Sequence, residues 1–159
     1  MYRKTEDFLN DWSRVNAGTL EVLNAVTDEK LDQAIVEGHS TLGWLGWHLV
    51  YSIPFFAKIL GFDVSAPGDR NIVPKKASEI ADAYRNVAGQ FAEKVKKTIT
   101  DDKLQDTVEF RGSMPVGALL RIVIEHEIHH RGQMTVLLRQ AGLKVPGVMG
   151  PTKEEREQQ

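Results

Sequence analysis

The sequence predicts an all-α protein, a four-helix bundle, on three observations. Apolar residues recur at threes and fours over four separate stretches of about 20 residues each. Short or moderate connections join those stretches. Strand-type alternation is weak throughout. Four amphipathic helices can bury their apolar faces only against one another, which is the bundle arrangement.

The first helix runs from about Thr5 to Val26, with Phe8, Trp12, Val15, Thr19, Val22 and Val26 on one face. Thr27-Asp28-Glu29-Lys30 reads as a turn, with Leu31 packing back. The second helix opens at Ser40, a residue suited to the N-cap, and carries Leu42, Leu45, His48, Leu49 and Phe56 to about Leu60. Pro54 is expected to bend it or end its regular part. A loop holding two prolines and two glycines follows, from Gly61 to Pro74. The third helix opens near Ser78 and presents Ile80, Tyr84, Val87, Phe91, Val95 and Ile99. Asp101-Asp102-Lys103 ends it, and Leu104 to Arg111 reads as extended before a turn at Gly112-Ser113. Ser113 is placed as the cap of the fourth helix, with Pro115 in its first turn, where a missing N–H is harmless. That helix carries Leu119, Ile122, Val123, His126, His130, Gln133, Leu137 and Leu138, and stops at Gly142. The reading is one bundle domain over residues 1–143. Residues 144–159 form a Pro/Gly-rich, then charged tail, expected as a surface arm frayed at its end.

Composition narrows the function classes. A chain of 159 residues with 42% hydrophobic and 26% charged residues has the make-up of a soluble globular domain. Its formal net charge of −2 gives no electrostatic footprint for nucleic acid or an anionic membrane. With zero cysteines there are no disulfides, no thiolate ligands and no protein-borne thiol nucleophile. The N-terminus leads into no apolar signal core and no run is long enough to span a bilayer, so a cytoplasmic location is expected.

Three of the five histidines fall in His126-Glu127-Ile128-His129-His130. Positions four apart on a helix lie one turn above each other, so His126 and His130 can close on one ion. Both continue the line of Leu119 and Ile122/Val123, where a strongly polar group needs a partner or a metal. His48 sits in the same way on the second helix, between Trp44 and Trp47. It reads either as a core histidine with one hydrogen bond or as the third ligand, since bundle sites draw ligands from facing helices. His129 is off that line and fits an inter-helix or dimer seam; His39, ahead of the second helix, fits a cap or a solvent-facing position. The segment also satisfies H-E-x-x-H, the metalloprotease signature with Glu127 as general base. That reading is disfavoured: nothing after His130 supplies a ligand except glutamates in a polar tail, and no strand is available to align a peptide.

His48 within Trp44-Leu45-Gly46-Trp47-His48-Leu49, the run His126-Glu127-Ile128-His129-His130-Arg131-Gly132-Gln133, and Leu138-Arg139-Gln140-Ala141-Gly142 with Pro146-Gly147 resemble the DinB family, including its YfiT-like members. The resemblance extends over essentially the whole chain. It implies a four-helix bundle with an inter-helix metal site whose three ligands map onto His48, His126 and His130. It also implies a divalent ion, zinc or nickel, commonly a homodimer, and in some members transfer of a low-molecular-weight thiol such as bacillithiol to an electrophile.

Three imidazoles leave a coordination position open, the arrangement of a catalytic rather than a closed structural site. Because the chain lacks cysteine, a thiol-transfer reaction would take its sulfur from a small cosubstrate. The expected function is therefore a metal-dependent thiol S-transferase acting on small electrophiles. A metal-dependent hydrolase and a non-catalytic, stress-related metal-binding protein are the alternatives. Gln133, one turn past His130, is placed to hydrogen-bond a ligand ring or a bound nucleophile. Glu127 is a candidate for orienting an imidazole or acting as a base, against the plainer reading of a solvated helix face. Arg131 and Arg139 read as anion contacts or as helix-end cations. Trp44, Trp47 and Tyr51 read as pocket walls or core.

Overall fold

The computed structural model describes residues 1–157 of the chain. Its helices are α1 (Thr5–Asn24), α2 (Leu42–Ile59), α3 (Ala77–Thr98), α4 (Val116–Gln140) and the single turn α5 (Lys153–Arg156). Two short strands, β1 (Thr107–Glu109) and β2 (Ser113–Pro115), precede α4. The four long helices pack as a bundle in which α1 touches α3 and α4, and α2 touches α3 and α4. Going round the bundle the order is therefore α1, α3, α2, α4, and α4 lies between α1 on one flank and α2 on the other.

The apolar faces predicted from spacing meet in one core. Phe8, Trp12, Val15 and Val22 of α1 are buried with Ile80, Tyr84, Val87, Phe91 and Val95 of α3. Trp12 is the anchor of that seam: its ring lies 5.2 Å from Phe91 and its Nε1 donates to the Ala88 carbonyl at 3.2 Å. The indole thereby buries a large apolar surface without leaving its N–H unpaired. Gly46 lets α2 approach closely, because a Cβ there would lie 2.9 Å from side-chain atoms of Ile80 and Leu23.

Several boundaries differ from expectation. Ser40 is not the cap of α2; Thr41 is, accepting from the Trp44 amide at 3.1 Å. Pro54 does not end the helix, and α2 continues to Ile59. Ser113 does not cap α4. It pairs with Glu109 in the antiparallel β1–β2 ribbon, and Pro115 takes the cap position with φ −65° and ψ 146°. Those angles are the ones a proline ring allows in extended backbone, so it closes the ribbon rather than opening the helix. Gly142, at φ 74°, ends α4 as expected.

Residues 144–157 lie against the bundle. Val145 is 2% exposed, Arg139 Nε meets Glu154 Oε1 at 3.1 Å, and Thr152 with Glu155 forms a reciprocal capping box for α5. The frayed end expected for the tail falls on residues 158 and 159, outside the described residues. Among the described residues no helix is long and apolar enough to cross a membrane.

Candidate metal centre

At the α2/α4 seam His48, His126 and His130 come together. One ligand atom from each lies within 4.8 Å of the other two, and no fourth His, Asp or Glu joins them among the described residues. His48 Nε2 and His126 Nε2 are 3.1 Å apart. Two imidazole nitrogens bound tetrahedrally to one zinc ion at 2.0–2.1 Å would be separated by about 3.3 Å, so this spacing fits shared coordination. The ring centroids of His126 and His130 lie 4.4 Å apart, and those of His48 and His130 lie 4.6 Å apart.

The protonation states also suit a metal. Burial pushes His48 down to about 4, helped by the charges of His130 and Arg70. Burial likewise pushes His126 down to about 3, with His130, His48 and His129 acting in the same sense. His130 is lowered by burial, although its bond to Gln133 opposes the shift. All three rings are thus neutral near pH 7, as ligation requires.

Gln133 Oε1 meets His130 Nδ1 at 2.7 Å. A carbonyl oxygen accepts, so the proton sits on Nδ1 and the Nε2 lone pair is left free to ligate. His126 has no such partner among the described residues: its Nδ1 is buried without a hydrogen bond there, and packing against Phe56, 5.5 Å between centroids, holds the ring instead. Trp44 stacks on His48 with centroids 5.0 Å apart and planes at 6°, yet remains 44% exposed. Trp44 also lines a cleft of about 710 Å³ with Asp28, Asp32, His39 and Lys75. A second cavity of about 200 Å³ is lined by Ile35, His39, Leu45, Gln133 and Val136. The three histidines line neither cavity, but a stacked or bonded neighbour of the centre opens onto each.

Other residues singled out from sequence lie elsewhere. Trp47 is buried and its Nε1 donates to the Asp69 carbonyl at 3.0 Å, while the Tyr51 hydroxyl donates to the Gly68 carbonyl at 2.8 Å. Both pin the loop after α2 and neither walls the metal centre. His129 is exposed beside His130, at 4.9 Å between centroids. Arg139 is an exposed helix-end cation engaged with Glu154.

Glu127 and Arg131 depart furthest from expectation. Neither is on a solvated face: they are 1% and 4% exposed. The buried face of α4 runs Leu120, Val123, Ile124, Glu127, Arg131, Met134 and Leu138, and the histidines flank it on the α2 side, half-buried. Glu127 Oε2 accepts from Tyr84 Oη at 2.7 Å and from Thr19 Oγ1 at 3.3 Å, and burial raises its carboxyl to about 7 against those hydrogen bonds. Its hydrogen-bond partners among the described residues are a tyrosine and a threonine rather than an imidazole, so it does not orient a ligand ring by direct contact. Sequence pattern missed this pair because charge at a stripe position looks the same as charge on a surface. The one available signal was their spacing, which continues 120, 123/124, 127, 131, 134 at helical period.

The whole chain, residues 1–159, matches the DinB family model. It is 42% identical over 156 residues to the uncharacterized protein YrdA of Bacillus subtilis (strain 168), covering 98% of this chain and 93% of that protein. A DinB-like protein of Bacillus cereus ATCC 10987 superposes with a TM-score of 0.87 at 42% identity, over 92% of this chain and 99% of that one. The DinB-like protein YjoA of Bacillus subtilis shares the fold, with a TM-score of 0.68 at 18% identity over 91% and 99%. Bundle topology, the three-histidine seam and the full-length family match agree: the chain belongs to the DinB family.

Proposed function

We propose that this protein is a metal-dependent enzyme in which His48, His126 and His130 hold one divalent ion, zinc or nickel, and that it transfers a low-molecular-weight thiol to small electrophiles. The observation that carries this reading is the three-imidazole cluster with no fourth protein ligand among the described residues, which leaves room for an exchangeable partner. A divalent ion held there supplies Lewis acidity that favours the deprotonated form of a thiol or water beside it.

The chain's own part is binding and orientation. Gln133 keeps the His130 proton on Nδ1, and Trp44 braces His48 while offering an aromatic wall to an organic substrate. With no cysteine in the chain, the sulfur comes from the cosubstrate. Exposed apolar side chains on α2 and α4, Phe55, Ile128 and Val136, support a homodimer, which sedimentation velocity tests directly.

The test begins with metal content by plasma mass spectrometry on wild type and on His48→Ala, His126→Ala and His130→Ala. About one equivalent in wild type, lost in each variant, is expected. Loaded protein is then assayed for thiol consumption with a haloaromatic electrophile. Turnover that needs both metal and thiol supports the transferase. Metal-dependent turnover of esters or amides without thiol would assign hydrolysis instead. Protein that takes up neither zinc nor nickel on dialysis would refute the metal reading.

A further inference from the structure

Each α4 histidine of the seam is followed at once by a buried charged residue: Glu127 after His126, and Arg131 after His130. One step along an α-helix is about 100° of rotation. The histidines therefore occupy one flank of α4 and the charged pair the next, pointing into the bundle.

The charged pair is tied to α1 and α3. Glu127 accepts from Tyr84 of α3 and Thr19 of α1. Arg131 Nη1 donates to the Val15 carbonyl of α1 at 2.9 Å, and the Thr19 hydroxyl also reaches that carbonyl at 3.1 Å. Room for the guanidinium exists because residue 18 is glycine; a Cβ there would lie 2.9 Å from Nη1. Tyr84 and Thr19 are fully buried. Arg131 and Glu127 are close enough to influence each other's ionisation.

Purely apolar faces tolerate small rolls and slides with little loss, because many packings have similar volume. Buried charges do not, since a roll that separates them from their partners strands them in a medium of low polarity. Nor is stability a sufficient reason for such a group, because apolar residues of similar volume often serve a core as well or better. In some helical assemblies a buried polar group of this kind sets register. The register it sets here is the roll of α4, and that roll decides where His126 and His130 point. Their partner His48 comes from α2, on the other flank of α4, so the three converge only at one roll angle.

We infer that Glu127, Arg131, Tyr84 and Thr19 are positioning residues of the metal centre, a polar lock between α4, α1 and α3 that aims two histidines at the third. Its purpose rests on the metal reading above; its geometry does not.

The test uses the full chain as wild type, Glu127→Met, Arg131→Met, Tyr84→Phe and the conservative Glu127→Gln. Three readouts are taken: zinc affinity by chelator competition, the visible spectrum of the cobalt(II) form, and nuclear Overhauser contacts between the His48 and His126 rings in metal-free protein. Those ring centroids lie 5.1 Å apart, within reach of such contacts. Glu127→Met and Arg131→Met are expected to stay helical, weaken zinc by about 10- to 100-fold, change the cobalt spectrum and lose the ring contacts. Glu127→Gln keeps an acceptor for the Tyr84 hydroxyl and is expected to restore all three. Folded Met variants with wild-type affinity, spectrum and ring contacts would overturn the lock. If a Met variant fails to fold, Tyr84→Phe decides, since it removes one hydroxyl: a several-fold loss of affinity supports the lock, and wild-type behaviour overturns it. If wild type binds no metal, the metal reading fails alone, and the ring contacts still decide the lock by being lost or kept in the variants.

Discussion

Gln133 touches the three-histidine cluster from the solvent side, so an effect on metal binding would be separable from folding. Its side chain is exposed and its one side-chain hydrogen bond among the described residues is to His130 Nδ1. Gln133→Ala should therefore weaken zinc by roughly tenfold while leaving the denaturation midpoint of the metal-free protein unchanged, as read by chelator competition beside a urea titration. The histidines and Gln133 were legible from sequence because ligand chemistry depends on residue type, and helical spacing of three or four states who can meet. Glu127 and Arg131 were not legible. Their burial depends on hydroxyls and a carbonyl supplied by Thr19, Tyr84 and Val15, up to 116 positions away in the chain. Trp44 was left open between pocket wall and core, since an indole at a stripe position is ordinarily core, and here it stays half-exposed against an imidazole.

At the level of elements, all four long helices were visible in the apolar period, and the ends that were misplaced are the caps of α2 and α4. Boundaries are set by a few hydrogen bonds that competing neighbours can make equally well. Ser40 and Thr41 are both suitable caps by type, and the choice falls to Thr41 because its hydroxyl is the one that reaches the Trp44 amide. Thr41→Ala should cost about 1 kcal/mol in urea unfolding while Ser40→Ala is silent; equal effects would contradict the cap assignment. The first strand lies within the stretch 104–111 expected as extended and the turn falls at Gly112 as expected, but the second strand escaped notice. Three residues per strand carry too little alternation to register, and the pairing of Thr107 with Pro115 follows from the tight turn between the strands, with Arg111 at φ 53° and Gly112 at φ 113°. The ribbon matters to the seam, because its Phe110 packs on Phe56 at 5.7 Å and Phe56 in turn packs on His126.

For the molecule as a whole, the buried ionisable groups give metal-free protein a stability profile with two opposing slopes. His48 and His126 have folded values of about 4 and about 3, below the ordinary histidine value near 6.5. Above that value the rings are neutral folded or unfolded and cost nothing. Below it the unfolded chain takes up protons that the folded protein refuses, so stability falls as pH drops from about 6.5 toward 4 and on toward 3. Glu127 acts in the other direction. Its folded value of about 7 exceeds the ordinary carboxyl value, so the unfolded chain ionises first and stability falls as pH rises from about 4.5 to 7. Urea midpoints of chelator-treated protein across pH 4 to 8 should show both slopes, and Glu127→Gln should abolish only the second. An unchanged profile in that variant would contradict the assignment of the rising-pH loss to Glu127.

The stacking of Trp44 on His48 also offers an optical test of the proposed metal centre. Of the three tryptophans, Trp12 and Trp47 are enclosed, at 1% and 4% exposure, so iodide in solution can reach only Trp44. An indole in face contact with an imidazole changes its emission when that ring gains a charge, and a redox-active or open-shell ion a few ångströms further on drains it. Adding nickel to metal-free protein should therefore dim the iodide-quenchable part of the fluorescence and spare the rest, and Trp44→Phe should remove the response without removing the ion. Occupancy of the centre could then be followed in real time, at sub-micromolar protein, with no label attached.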